Sequence, residues 1–366
     1  MIYFCYFLIF FLVLRLLVAL INMLSFHYLP KKVPSTIDVS ISVLIPARNE
    51  EHNIGDLLKQ LDDYSSALLE IIVYDDSSTD STAAIVNGFV QDNSKFKLLR
   101  GVALPEGWLG KNHACHQLSQ KAQGDVLLFL DADVKIRDGA IPKAILHLQT
   151  HELHLLSIFP KQIFSSFGEK VTVPIMNWIL LSLLPIVLVR TSKNPAFSAA
   201  NGQFMMFRAN TYKEHVPHQL FRNHMVEDIA IIQYFKTQLL KSDTLLGNKD
   251  VECRMYSGAK EAIEGFTKNI FQFFGDSILM TLLVAVTTTI APLIIYLNFG
   301  VYFGTLYVFG IVLIRIFVSV ASRQSPWQNV LLLLPQHALF LIIIGKRLVN
   351  NGKKELIWKG RNVFGD

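Results

Sequence analysis

Charge is scarce in this chain and cysteine is scarcer. Only 17% of its 366 residues are Asp, Glu, Lys or Arg, against 51% hydrophobic, and that balance excludes a highly charged disordered chain. The three cysteines, Cys5, Cys115 and Cys253, are odd in number and far apart. They give neither a disulfide framework nor a zinc-ligand spacing, and they fit reduced thiols facing a cytosol. No Gly-x-x-x-x-Gly-Lys-Ser/Thr run occurs, which excludes a P-loop. The formal net charge is a modest +5, and the basic residues gather beside apolar segments: Lys31 and Lys32, Lys346 and Arg347, Lys353 and Lys354, Lys359 and Arg361. That placement argues for a membrane partner and against nucleic acid.

The mean hydropathy of +0.37 exceeds that of a typical soluble domain, so part of the chain is expected in lipid. Residues 2–24 are apolar apart from Arg15 and Asn22, enough to cross a core of about 30 Å at about 1.5 Å per residue. They lack the charged start and small-residue cleavage site of a signal peptide. The expectation is an uncleaved transmembrane helix over residues 1–25, with Lys31 and Lys32 placing residue 30 onward in the cytosol. Residues 277–297, 301–322 and 328–345 are further apolar stretches near crossing length. Arg315 inside the second is costly in lipid. An even number of crossings, with 277–322 partly broken or re-entrant, keeps the basic tail 348–366 in the cytosol, so the chain is expected to be multi-pass, with its C-terminal helices over 277–347. Residues 171–189 are also apolar, but a crossing there would put the two flanking polar regions on opposite sides. They are expected to form an interfacial or half-inserted helical segment, with Pro174, Trp178 and Pro185 marking breaks and headgroup depth.

Between these lies a polar region, residues 39–270, read as a catalytic domain. Residues 41–48, 71–74, 96–100 and 126–130 are strand-like runs separated by polar loops and helical patterns, with one helix expected to open at Asn49-Glu50-Glu51 and run through Leu61. Strand, loop, helix, strand is the order of an α/β fold with a mostly parallel sheet. Val126 to Leu130 are all apolar, as in a strand buried on both faces, and Asp131-Ala132-Asp133 comes at its carboxyl end. Ligands bind at that edge of an open α/β sheet, and a hard divalent cation on phosphate oxygens takes one or two carboxylates. Asp133 is therefore read as the direct ligand of Mn2+ or Mg2+, and Asp131 as its partner on a nucleotide sugar. A strand followed by a capped helix also explains the pattern, since Asp138-Gly139 comes next as a turn. Asp75 and Asp76 close the strand 71–74 and can accept hydrogen bonds from a nucleobase or ribose; Ser77, Ser78 and Asp80 also suit a turn. In Gly107-Trp108-Leu109-Gly110-Lys111, two glycines and a lysine open a helix, so backbone N–H groups and Lys111 can meet a diphosphate.

Three of these motifs, Pro46-Ala47-Arg48-Asn49-Glu50, Asp75-Asp76-Ser77-Ser78-Thr79-Asp80 and Asp131-Ala132-Asp133, stand in the order and spacing of a family 2 glycosyltransferase with a GT-A nucleotide-sugar-binding domain, a resemblance covering residues 41–135. The Gly-Trp-Leu-Gly-Lys loop resembles the branch of that family acting on carotenoid acids and hopanoid-type lipids. The resemblance implies that Pro46, Arg48, Glu50, Asp75, Asp76, Lys111 and Asp131 bind a UDP-sugar, with glucose as the expected hexose. It implies that Asn201 and Gln203, in Asn201-Gly202-Gln203-Phe204, lie near sugar and acceptor. It makes Asp228 of Glu227-Asp228 the catalytic base of an inverting transfer, with Glu227 beside it; without it, the acidic pair reads equally as a helix cap. Trp358 and Arg361 stand where family members carry a Gln/Arg-x-x-Arg-Trp element against diphosphate or acceptor, but here the order is Trp-x-x-Arg. The implied partners are the UDP-sugar, a lipid acceptor and the membrane. A hopanoid, sterol-like or polyprenyl phosphate acceptor, a processive polysaccharide synthase and a non-catalytic nucleotide-sugar binder are the other readings of the same residues.

Overall fold

A computed structural model describes residues 1–33, 38–137 and 139–350, and beyond them only the backbone of 351–353, 357–358 and 361–362. Two compact units divide the chain. One holds His27–Ile163 and Ile186–Arg254, the other Met1–Phe26, Phe164–Pro185 and Met255–Asp366.

The first unit is a three-layer α/β domain. Its strands are β1 (Ile41–Ala47), β2 (Glu70–Asp75), β3 (Phe96–Arg100), β4 (Val126–Leu130), β5 (Val134–Ile136), β6 (Leu155–Phe159), β7 (Lys161–Gln162), β8 (Phe204–Arg208), β9 (Ser242–Leu246) and β10 (Val251–Cys253). The main sheet runs β3-β2-β1-β4-β8-β6-β9, and a smaller one runs β5-β10-β7. All neighbours in the main sheet are parallel except β8, which is antiparallel to β4 and β6. Every residue of β4 is buried, as its unbroken apolar run predicts for a central strand covered on both faces. The reversed β8 shapes the site. Its register pairs Leu130 with Phe204, so the turn entering β8 lies at the same sheet edge as the end of β4.

The helix expected from Asn49 begins five residues later, at Ile54, and runs to Asp63. Local contacts explain the delay. Asn49 takes a positive φ of 54°, and the next backbone N–H groups are held by the neighbouring loop instead of opening a helix. Glu50 N donates to Thr82 Oγ1 at 2.8 Å and Glu51 N to Asp80 Oδ2 at 3.1 Å. In return Thr79 N donates to Asn49 Oδ1 at 2.9 Å and Ser81 N to Glu51 Oε2 at 3.0 Å. The loops after β1 and β2 are thus zipped together by side chain to backbone bonds, the alternative to helix that short polar side chains offer.

The second unit is helical. Ile2–Leu24 forms one helix, and Ile278–Ala321 is a second stretch long and apolar enough to cross a membrane. That stretch comprises helices Ile278–Thr289 and Ala291–Ala321, the latter kinked where Gly300 takes φ 81°. Helix Leu333–Lys353 comes last. Residues 164–185 belong to this unit as two short helices, Phe167–Thr172 and Pro174–Leu183, each too short to cross alone. Asn22 of the first helix donates to the carbonyls of Leu181 and Leu184 at 2.9 and 2.8 Å, satisfying the end of the second short helix.

Candidate functional site

The acidic residues of Asp131-Ala132-Asp133 sit in the turn between β4 and β5, where Val134 N donates to Asp131 O at 3.2 Å. Opposite them runs Asn201-Gly202-Gln203, brought there by the antiparallel register, and Asp131 N donates to Gln203 O at 3.1 Å. The turn is internally fixed: Gln203 N donates to Asn201 Oδ1 at 2.8 Å, and Asn201 N to Ser157 Oγ at 2.8 Å. Gln203 then turns its amide onto Asp133, with Nε2 3.1 Å from Oδ2 and 3.3 Å from Oδ1. The same Nε2 lies 2.9 Å from Cys253 Sγ.

Lys111 lies in the first turn of helix Gly110–Lys121. Its ammonium is 2.7 Å from Asp131 Oδ2 and 3.8 Å from Glu227 Oε1, and it donates to Gly202 O at 3.4 Å. Although burial works against the charge, Asp131 and Glu227 hold the ammonium well above the usual lysine range. Glu227 and Asp228 open helix Glu227–Thr237, where carboxylates favour the helix dipole. Asp228 accepts from Gly202 N at 2.8 Å and from Ile229 N at 2.8 Å. Burial and then Glu227 nonetheless lift its carboxyl to about 7. Lys111, Asp131, Asp133, Gln203, Glu227 and Asp228 therefore meet around the Gly202 turn.

Two residues in this arrangement escape a sequence reading. A Cβ at Gly202 would lie 3.0 Å from Lys111 Nζ and 3.3 Å from Glu227 Oε1, so the close approach of these groups needs the missing side chain. Asn112, buried beside Lys111, points its Nδ2 at the carbonyls of Phe221, Arg222 and His224, at 2.8, 3.2 and 3.0 Å. Leu109 N also donates to Arg222 O at 2.8 Å. The Gly-Trp-Leu-Gly-Lys loop thereby holds the segment that leads into Glu227 and Asp228.

Pro46, Arg48, Asp75 and Asp76 lie in or beside the zipped loops. Arg48 donates to Asp76 O at 2.7 Å and faces the Asp76 carboxylate at 3.9 Å. Asp75 pairs with Arg100 at 3.0 Å and accepts from Ser78 N at 3.1 Å. Pro46 is in register with Tyr74 across β1 and β2. Trp358 and Arg361 have side chains outside the described residues.

Glu50 reaches toward the Asp-x-Asp turn electrostatically. Burial first, then Asp131 and Glu50, raises the Asp133 carboxyl to about 7. This surplus of acid suits a cation, which would relieve the repulsion. Among the described residues no three His, Cys, Asp or Glu side chains make a complete protein cage. A cation here would draw most of its ligands from phosphate oxygens and water, as Mg2+ commonly does.

A buried open sheet with carboxylates, a lysine and a polar turn at its carboxyl edge is a GT-A-like fold, and comparison with solved structures agrees. The mannosyltransferase PcManGT from Pyrobaculum calidifontis, solved with GDP-Man and Mn2+, superposes with a TM-score of 0.59 over 94% of this chain and 97% of its own, at 14% identity. Residues 42–216 match the model of glycosyl transferase family 2. It is 30% identical over 245 residues to 4,4'-diaponeurosporenoate glycosyltransferase of Staphylococcus haemolyticus, covering 63% of this chain and 61% of the relative. The enzyme of the same name from Staphylococcus aureus is 28% identical over 255 residues, covering 67% and 64%. The match thus spans less than two thirds of the length of these curated relatives.

Proposed function

We propose that the chain is a membrane-bound, inverting, metal-dependent glycosyltransferase that moves a hexose, glucose in the first instance, from a UDP-sugar to the carboxylate of an apolar acceptor of the 4,4'-diaponeurosporenoate class. It is a multi-pass membrane protein with its sheet-bearing catalytic unit, His27–Ile163 and Ile186–Arg254, on the cytoplasmic face. The observation that carries this reading is the convergence of Lys111, Asp131, Asp133, Glu227 and Asp228 on one turn, Asn201-Gly202-Gln203. The names of the relatives support the acceptor class, and the family supports the reaction.

In this reading Asp75, Asp76, Pro46, Arg48 and Glu50 line the nucleoside side, and Asp131 holds the sugar nucleotide beside Lys111. Lys111 balances charge on the departing diphosphate. A divalent cation held by Asp133 would supply Lewis-acid stabilisation of the same leaving group. Asp228 faces the acceptor. A hydroxyl acceptor passes its proton to the Asp228 carboxylate as its oxygen bonds to the anomeric carbon and the bond to the diphosphate oxygen breaks, inverting that carbon. A carboxylate acceptor is already ionised at neutral pH, so Asp228 then orients more than it deprotonates. Gln203, fixed by Asn201, keeps the Asp133 carboxylate aimed at the site.

The test is transfer from radiolabelled UDP-glucose to lipid by membranes carrying the chain, with wild type set against Asp133→Ala. A discrete labelled glycolipid that is lost in the variant is the expected result. Label in a high polymer, or none from any nucleotide sugar, would contradict the proposal.

A further inference from the structure

Two of the buried arginines of the helical unit, Arg15 and Arg315, are held in a way the catalytic chemistry does not use. Arg15 on helix Ile2–Leu24 is 5% exposed and Arg315 on helix Ala291–Ala321 is 3% exposed. Both guanidiniums lie over one indole, Cζ of Arg15 being 4.9 Å and Cζ of Arg315 4.2 Å from the Trp178 ring centroid. Their hydrogen-bond partners are neutral. Arg15 donates to Ser182 Oγ from Nη2 at 2.6 Å and from Nε at 3.2 Å. Arg315 donates from Nη1 to Gln336 Oε1 at 3.1 Å, and its buried Nε has no partner among the described residues. Gln336 in turn is committed to Asn329 Oδ1 and Lys170 O, both at 3.0 Å. Among the described residues neither arginine has a carboxylate within ion-pair reach.

A guanidinium in an apolar helix bundle is costly, and a second one at the same ring adds like-charge repulsion. Cation–π contact and neutral hydrogen bonds offset only part of that. An anion would close the balance. The guanidinium fork matches a two-oxygen anion, which Arg recognises in bidentate fashion.

We propose that Arg15, Trp178 and Arg315 form a binding site for the anionic head of a membrane amphiphile, a carboxylate or a phosphate. The inference rests on the reading of this unit as membrane-embedded and is independent of whether sugar is transferred. A carboxylate held here is of the same chemical class as the proposed acceptor, whereas a phosphate would come from a phospholipid.

The test uses the full chain in dodecyl maltoside and radiolabelled oleate, with no sugar nucleotide present, so its outcome is separate from that of the transfer assay. Saturable oleate binding is expected, undisturbed by oleyl alcohol and weakened roughly tenfold or more by Arg315→Gln, less by Arg315→Lys. Competition by phosphatidylglycerol would assign a site shared with phospholipid; its failure to compete would assign a carboxylate site of the acceptor type. Without oleate, Arg315→Gln should melt at or above the wild-type temperature, because it removes an unneutralised charge. Oleyl alcohol competing as well as oleate, Arg315→Gln binding oleate like wild type, or Arg315→Gln failing to fold would each overturn the proposal, the last by showing a purely structural role.

Discussion

In the sheet-bearing unit, the buried Asp243 carboxylate is met by charge. Asp243, fully buried on β9, receives His27 and His147 at 2.8 Å each and Arg190 at 3.1 Å. Its carboxyl is held well below the usual range despite burial, because the two histidines bond to it. In the helical unit, Arg15 and Arg315 meet an indole and neutral side chains instead. The difference separates structural charge from charge kept for a ligand. Asp243 closes its own balance within the fold. The sheet edge keeps a surplus of acid at Asp131, Asp133 and Glu50, and the helices keep a surplus of base, so the first suits a cation and the second an anion.

Removing the surplus acid should have the largest effect. Asp133→Ala should lower transfer by on the order of a thousandfold, since stabilisation of the leaving group goes with it; chelation by EDTA should do the same to wild type in a radiolabel assay. Asp228→Asn should cost roughly 10²–10³ with a hydroxyl acceptor and under about tenfold with a carboxylate one. Because Asp228 is lifted to about 7 and acts deprotonated, activity on the hydroxyl acceptor should rise with pH through neutrality, and the rise should vanish in Asp228→Asn.

Balanced charge predicts loss of stability instead. Asp243→Asn leaves Arg190 and two histidines without their acid and should cost about 3–5 kcal/mol, read in the melting temperature of the purified chain. The sign of its pH dependence comes from the depressed carboxyl: its contribution is full above the ordinary carboxylate value of about 4 and is lost as pH falls below it. The smallest effect is positional. Asn112→Ala frees the segment before Glu227 and should lower kcat by roughly tenfold with little change in UDP affinity, as expected of a small misplacement; a fall in affinity alone would remove Asn112 from this role.

Much of the sheet was legible from residues alone, because β4 and β2 are largely apolar runs ending in paired aspartates, and polar loops alternate with them. The reversal of β8 was not, since nothing local to Phe204–Arg208 fixes its direction. The delayed helix at Ile54 was also hidden, because Asn49, Glu50 and Glu51 bond to residues about thirty positions away. At the site the individual acids and Lys111 stood out by type and position. Their meeting depends on Gly202 and on Asn112 reaching residues over a hundred positions away, which no spacing in the sequence reveals.

The decisive measurement is calorimetric binding of UDP to the purified full chain, with Mn2+ and with EDTA, for wild type and Asp133→Asn. Binding that needs the cation and is lost in the variant is the expected result. Equal UDP affinity in EDTA, or unchanged affinity in Asp133→Asn, would contradict a cation-assisted diphosphate site at the Asp-x-Asp turn.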